Sequence, residues 1–329
     1  SYNKIHNLIT YELLLAISIS IMKVLIIKPS SLGDVVHALR VVCFIKEQVN
    51  SLQIHWVIKR GLEGIICASG IVDKFYLFHR GGGGKKFLKL GLSLRKENYD
   101  LVLDMQGLIR SAVLARLANG KNCYGRPDGR ECSTLFYKTV NIPTGRHPHA
   151  IERLLSFIEV FNIQMGKKLY LEFHKSIIPD FLKEKLNYEN FRILLFPESR
   201  RTEKCWPFFK ELSVLIQDEG IGDVLVSGTR KDDQFNHAID LRGEVSLESI
   251  PALIRNVSIV ISNDSAPLHI ASAMNIPTIG IFGPTDPRKY GPYPKGSRNG
   301  DTVSSEIISE IEPRHIFERI LLMRREIEQ

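Results

Sequence analysis

From position 22 onward the chain alternates short apolar runs with longer stretches in which apolar residues recur every three or four positions. Lys23–Ile27 (KVLII) is rich in β-branched residues and is followed at once by Lys28-Pro29-Ser30-Ser31, the pattern of a buried strand feeding a loop. Asp34–Gln48 has helical spacing, Gln53–Ile58 and Lys74–Phe78 read as strands, and Lys85–Glu97 reads as a basic helix. Asp100–Asp104 is a further strand; helices are expected from about Leu108 to Ala118 and over Ala150–Phe161. The pattern then restarts, with strands at Phe191–Phe196, Asp223–Ser227, Ser258–Ser262 and Pro277–Phe282. Helices fall between them at Pro207–Gln217, Lys231–Ile239, Ser249–Arg255 and Pro267–Met274, and a last amphipathic helix covers Ile316–Glu328. Repeated strand–helix alternation predicts an α/β protein with parallel sheets covered by helices on both faces.

Two doubly wound, Rossmann-like halves are expected, one over 22–165 and one over 166–305, with 306–329 as a closing helix. Ligands of such sheets bind beyond the carboxyl ends of the strands, so the site is expected in a central cleft between the halves. The amino terminus is less simple. Leu8–Ile27 contains only Glu12 and Lys23 as charged residues and is long enough to span a bilayer. Its last part, however, is the first strand, Met22 stands directly before it, and a signal-peptide pattern is lacking. Residues 1–21 are therefore read as an extension outside the two-halved fold, with a membrane anchor as the alternative.

Composition is that of a globular protein: 329 residues, 44 % hydrophobic and 24 % charged. The five cysteines are scattered with no CxxC pair, which argues against a disulfide framework or zinc ribbon and fits a reducing cytoplasm. Charge adds more. The net +8 is concentrated in the first half, where 21 Lys/Arg face 11 Asp/Glu between Met22 and Met165. A basic half suits an anionic partner, whether nucleic acid, phospholipid or phosphorylated substrate, although a solvated basic face would look the same. No helix-turn-helix, RRM or KH signature supports nucleic acid.

Candidate chemistry follows the strands. Lys28-Pro29-Ser30-Ser31-Leu32-Gly33-Asp34 has one glycine where a dinucleotide fold has G-x-G-x-x-G, which disfavours an NAD enzyme. Asp34 fits either a helix cap or a general base held at a strand end. In Ser262-Asn263-Asp264-Ser265-Ala266-Pro267-Leu268-His269, Asp264, Ser265 and a helix start suit a sugar–phosphate group. Phe282-Gly283-Pro284-Thr285-Asp286-Pro287 combines turn residues with a glycine that permits close backbone approach. The stretch Phe196–Pro207 offers Arg200, Arg201 and Lys204 to a diphosphate, with hydroxyls at Ser199 and Thr202. The run Gly81–Gly84 fails the phosphate-loop pattern and reads as a hinge.

Taken together, MKVLIIKPSSLGDVVHALR, TEKCWP and SNDSAPLHIASAMNIPTIGIFGPTDP, in this order and spacing, resemble the bacterial ADP-heptose glycosyltransferases of lipopolysaccharide core synthesis, glycosyltransferase family 9. Asp104–Ala112 (DMQGLIRSA) and Leu135-Phe136-Tyr137 look more like the heptosyltransferase I branch than the heptosyltransferase II branch. The resemblance implies a GT-B fold and inverting transfer of L-glycero-D-manno-heptose from ADP-heptose to the inner Kdo of Kdo2-lipid A. A family sibling with another acceptor or sugar donor is the alternative. By the same resemblance Asp34 matches the catalytic base, Lys204 the lysine near the diphosphate, and Asp264 the acid on the donor sugar, with His269 beside it. Ser199-Arg200 stand where the family has a Thr-Thr pair, and the ribose-binding acid aligns with Asp232 or Asp233. Gly283, Thr285 and Ser265 complete the expected donor site; Ser31, Gln106, Arg110, Lys85, Lys86 and Lys89 are expected on the acceptor side, with Arg126, Arg130 and Arg146 as further basic candidates.

Inversion needs an acceptor hydroxyl to attack opposite the departing ADP while a carboxylate takes its proton. The sequence has no DxD motif, so Lys204, nearby arginines and helix N-termini are expected to neutralise the diphosphate, with no metal and no other cofactor. The expected partners are ADP-heptose, Kdo2-lipid A and the anionic surface of the inner membrane, on whose cytoplasmic face the enzyme would sit as a peripheral protein.

Overall fold

The central apolar runs form strands because they are buried on both faces, which suits continuous Val, Ile and Leu in a parallel sheet. The computed structural model describes residues 21–49, 51–141, 148–165, 169–186, 190–231, 234–236 and 238–328. The first half runs β1 (Met22–Ile27), α1 (Leu32–Gln48), β2 (Leu52–Lys59), α2 (Glu63–Ser69), β3 (Lys74–Phe78) and α3 (Gly83–Arg95). It continues with β4 (Leu101–Asp104), α4 (Ile109–Ala118), β5 (Asn122–Gly125), β6 (Lys138–Thr139) and α5 (Glu152–Leu155). The second half holds α6 (Asp180–Lys185), β7 (Arg192–Phe196), α7 (Phe209–Asp218), β8 (Asp223–Val226), β9 (Ile239–Asp240) and α8 (Ile250–Arg255). It ends with β10 (Ile259–Asn263), α9 (Ala266–Ala273), β11 (Thr278–Phe282), α10 (Pro287–Tyr290), β12 (Gly300–Ser304) and α11 (Pro313–Glu328).

The strands form two six-stranded sheets of order β3-β2-β1-β4-β5-β6 and β12-β11-β10-β7-β8-β9. Counted from its own first strand, each half has the same doubly wound order. The order reverses between β1 and β4 in one sheet and between β7 and β10 in the other, and such switch points open crevices for ligands. Ile27 lies beside Asp104 in the first sheet, and Ser262 beside Phe196 in the second. The loops that leave β1, β4, β7 and β10 are therefore the ones placed to carry chemistry.

Three expectations need correction. No helix forms over the described part of Lys231–Ile239; instead Ile239–Asp240 pairs with β8, Phe235 is buried under the Arg242 guanidinium, and Asp240 grips Arg242 through two charge-assisted bonds. The expected helix at Ala150–Phe161 is one α-turn followed by a 3-10 segment, Ser156–Phe161, stopped by Asn162 in the left-handed region. The glycine run does not simply precede a helix, because α3 starts at Gly83 and takes in its last two glycines. The short strands β5, β6, β9 and β12 lacked an apolar run long enough to be read. Residues 1–20, Arg146 and the candidate ribose acids Asp232 and Asp233 lie outside the described residues.

The halves are joined by packing of α1 on α9. One core includes Val36 and Leu39 of α1, Leu171 and Phe173 of the connecting segment, and Ile270 and Ala271 of α9. Arg40 is fully buried in this contact and donates to the carbonyls of Leu169 (2.7 and 3.0 Å) and Tyr293 (2.9 Å). The final helix packs with the second half: Ile316, Phe317 and Ile320 share a core with Leu212 and Ile216 of α7.

Three histidines fill the same junction. The ring centroids of His37 and His269 are 4.6 Å apart, and those of His37 and His149 are 5.7 Å apart. His149 Nε2 donates to the Gly291 carbonyl at 3.0 Å while its Nδ1 accepts the Ile151 N–H at 3.3 Å, an arrangement that requires the neutral ring. Burial pushes the His149 pKa down to about 4 and holds His37 and His269 below the ordinary value as well. The unfolded chain therefore takes up protons first, so the stabilising contribution is full above about pH 6.5 and is lost as pH falls toward 4. Equilibrium unfolding is expected to show lower stability at pH 5 than at pH 7, and His149→Gln to reduce that difference. An identical pH dependence in the variant would show that the histidine cluster does not set acid sensitivity.

Candidate active site

The loop after β1 is shaped by Asp34. Its Oδ2 accepts the Ser31 backbone N–H at 3.1 Å and the Ser31 hydroxyl at 2.6 Å, which ties down the first turn of α1. The cap and the base are thus compatible, because both bonds fall on Oδ2 and Oδ1 has no bond from any described residue. Burial would raise the Asp34 pKa, but the Lys28 ammonium and the two Ser31 bonds outweigh it and hold the carboxyl below its ordinary value. Asp34 is therefore an ionised, half-buried acceptor of protons.

Lys28 itself was not singled out by sequence reasoning. It is 2 % exposed, just past β1, and burial pushes its pKa down while Asp34 and Asp104 oppose that shift. Asp104 ends β4 and is fully buried; desolvation raises it to about 6 despite bonds from the Gln106 and Gly107 N–H groups and the Ser111 hydroxyl. Those bonds fold the turn that brings Gln106 Oε1 within 3.5 Å of the Ser30 N–H. Arg126 adds positive charge nearby and is itself clamped by Asp128 at 2.6 and 2.8 Å. A lysine one residue beyond a buried strand was the available signal for this role.

On the facing half, Asp264 follows β10 and is 8 % exposed. Its Oδ2 receives Lys204 Nζ at 2.5 Å and the Thr285 hydroxyl at 2.7 Å, which draws three separate loops together. Asn263 braces them: its Nδ2 donates to the Pro197 carbonyl at 2.7 Å and its Oδ1 accepts the Trp206 N–H at 2.9 Å. The Ser265 hydroxyl bonds that of Ser262 at 3.0 Å, and a Cβ at Gly283 would lie 3.2 Å from the Glu203 carbonyl, so glycine lets these loops close up. Ser199 is half-buried and Arg200 exposed in the loop after β7. Glu198, the acid before them, takes the Thr229 N–H at 2.8 Å and its hydroxyl at 2.7 Å, fixing the loop after β8.

The two walls meet at His269. Its Nε2 is 4.0 Å from Asp264 Oδ1, and its ring lies so close to Gly33 that a Cβ there would sit 2.5 Å from Cδ2. The structure thus unites Ser31, Asp34, His269, Asp264, Lys204 and Thr285. Lys85, Lys86 and Lys89 stand apart as exposed residues of α3, and Arg110 is exposed with Nη1 3.5 Å from the Arg80 carbonyl. A cavity of about 800 Å³ lies at the opposite ends of the strands against Asn275, Pro277 and Asn299. Side-chain geometry at the carboxyl edges, not cavity size, marks the site. Among the described residues no group of His, Cys, Asp and Glu is placed to hold a metal ion, and no helix is long and apolar enough to cross a membrane.

Two doubly wound halves with facing carboxyl edges are the architecture of the GT-B class of glycosyltransferase. A family model described as glycosyltransferase family 9 (heptosyltransferase) matches residues 87–308, and the chain belongs to that family. The chain is 28 % identical over 297 residues to lipopolysaccharide heptosyltransferase 1 of Escherichia coli K12, covering 83 % of this chain and 92 % of the relative. Lipopolysaccharide heptosyltransferase 3 of the same strain is 25 % identical, covering 79 % and 82 %. Its fold matches that of E. coli heptosyltransferase WaaC solved with ADP, with TM-score 0.77, 24 % identity and coverage of 92 % and 100 %. E. coli ADP-heptose lps heptosyltransferase II matches with TM-score 0.76, 20 % identity and coverage of 94 % and 100 %.

The Lys28–Asp34 relation has a kinetic consequence. Lys28→Met removes the charge that most lowers the Asp34 carboxyl, so for a reaction that uses Asp34 as base the acidic limb of the pH–rate profile is expected to move to higher pH. An acidic limb left in place by Lys28→Met would mean that Lys28 does not tune the base.

Proposed function

We propose that the protein transfers L-glycero-D-manno-heptose, with inversion, from ADP-heptose to the inner Kdo of Kdo2-lipid A in lipopolysaccharide core synthesis. The observation that carries this reading is the meeting of Asp34 with the Lys204–Asp264–Thr285 cluster across the junction of the halves. The first half takes the acceptor and the second half the donor. Asp34 Oδ1 accepts the proton of the attacking hydroxyl as its oxygen bonds the heptose anomeric carbon. The bond from that carbon to the diphosphate breaks through an oxocarbenium-like state, and the electron pair leaves with ADP. Lys204 offers a point charge to the leaving diphosphate, with Ser199, Arg200 and the start of α9 at Ser265 around it. Asp264 and Thr285 hold donor hydroxyls, and neutral His269 separates acceptor base from donor acid. A ribose contact by Asp232 is part of the same reading.

The relatives named heptosyltransferase 1 support this acceptor, and the cations around α3 suit a phosphorylated glycolipid at the cytoplasmic face of the inner membrane. The deciding measurement is release of ADP from ADP-heptose with and without Kdo2-lipid A. Release only with a different acceptor would leave the family chemistry intact and overturn the acceptor assignment.

Asp34→Asn retains size and accepts the Ser31 bonds but cannot take a proton. Turnover is expected to fall ~10²–10⁴-fold, with folding and ADP binding near normal. Turnover within a few-fold of the parent would leave Asp34 as a helix cap alone.

On the donor side, Lys204→Ala is expected to weaken ADP binding in calorimetry, whereas Asp264→Ala should harm sugar positioning more than ADP affinity. Equal losses of ADP affinity would contradict the division of labour. The cationic account also requires activity to survive EDTA; loss restored by Mg²⁺ would count against it.

A further inference from the structure

We propose that α3 is an interfacial helix that seats Leu88 and Leu92 in an anionic bilayer beside the acceptor entrance; this rests on the lipid-acceptor reading above. The helix, GGKKFLKLGLSLR, contains no acidic residue. Its inner face is fixed by packing. Leu94 is fully buried, Phe87 and Leu90 pack on the core of the first sheet, and a Cβ at Gly91 would lie 2.8 Å from Leu117. The outer face is therefore set by helical period: Lys85, Leu88, Lys89, Leu92 and Arg95 recur at three- and four-residue steps, with Lys96 following.

Leu88 and Leu92 are each 51 % exposed, one turn apart on that face. A single exposed leucine is ordinary, but two in register within a ring of cations and no acids is the pattern of a helix lying in a membrane interface. Among the described residues none of Lys85, Lys86, Lys89, Arg95 and Lys96 forms an ion pair. Glu97, the acid that follows the helix, is committed elsewhere: it bonds Lys74, Tyr76 and Lys23, and these bonds hold its pKa down to about 2. The positive face is thus not neutralised from within. A second copy, also net positive, would be repelled by it, and a polyanion such as nucleic acid has no use for the leucines.

Position completes the argument. The amino end of α3 borders a cavity of about 280 Å³ lined by Lys59, Arg60, Arg80 and Lys86. That cavity adjoins the Asp34 loop directly, because the Lys59 N–H bonds the Pro29 carbonyl at 3.0 Å. With its outer face on a bilayer, α3 would present the cationic cavity and then Asp34 to a glycolipid headgroup standing in the same surface.

The test uses the full chain and vesicles of phosphatidylglycerol mixed with phosphatidylcholine, or of phosphatidylcholine alone. The parent is expected to sediment with the anionic vesicles only. Leu88→Ser/Leu92→Ser should weaken that partition about tenfold, with turnover of a soluble, de-acylated acceptor unchanged. In a second readout, Leu92→Trp should shift its emission to the blue with anionic vesicles and not with neutral ones. Equal vesicle binding by the parent and the double-serine variant, or a tryptophan that stays in water, would overturn the proposal and leave a purely electrostatic contact. No vesicle binding together with full turnover of the soluble acceptor would also overturn it, while leaving the proposed reaction standing. Vesicle binding as expected with no acceptor-dependent ADP release would instead remove the proposed reaction.

Discussion

Everything at this site depends on how closely α1 can approach α9. Gly33 has no side chain, and the His269 ring occupies the space a Cβ would need. One residue further on, Asp34 begins the site wall of the first half; five residues before His269, Asp264 begins that of the second. A larger residue at 33 would push these walls apart by the radius of a methyl group, and reacting groups tolerate little displacement. Arg40 locks the same approach from behind. Its guanidinium is buried without a carboxylate partner among the described residues and is held by backbone carbonyls of the opposite half. Separating the halves would strand that charge in an apolar core, a large penalty.

Charge is distributed with the same economy. Asp34 sits near Lys28, whose charge, with the Ser31 bonds, outweighs the upward push of burial. Asp104 also feels Lys28, but it is buried more deeply, so desolvation wins there and its carboxyl rises to about 6. It serves instead to fold the turn at Gln106 and Gly107. The lysine–carboxylate pair on the facing wall keeps both members poised: Lys204 and Asp264 satisfy each other while their side chains remain only 16 % and 7 % exposed. The three junction histidines stay neutral, so the contact between halves brings no further cation toward Lys204 and Asp264.

Much was written locally. Periodicity alone identified the strands at Lys23–Ile27, Asp100–Asp104 and Pro277–Phe282 to within a residue or two, because a doubly buried parallel strand is a continuous apolar run. The motif loops were equally legible, since glycine, proline and short polar residues after such runs have few other uses. Short edge strands were not legible. At Ile239–Asp240 two residues are extended only because β8 offers a partner and Asp240 binds Arg242, and neither condition can be read from the local pattern. The basic helix was visible as a charge run, but its outer leucines were not, because only packing of Phe87, Leu90 and Leu94 fixes which face is turned away.

The sequence by itself determined the strand–helix alternation, the doubling of the fold and the loops that carry Asp34, Lys204 and Asp264, because each is encoded within a few neighbouring residues. Tertiary structure alone decided that Lys28 acts on Asp34, that Lys204 pairs with Asp264, and that His269 stands between the walls. These are relations between side chains up to 235 positions apart, His269 lying that far from Asp34. Electrostatic and steric effects of that kind depend on distance in space and on burial, and a one-dimensional pattern specifies neither until the two halves have packed.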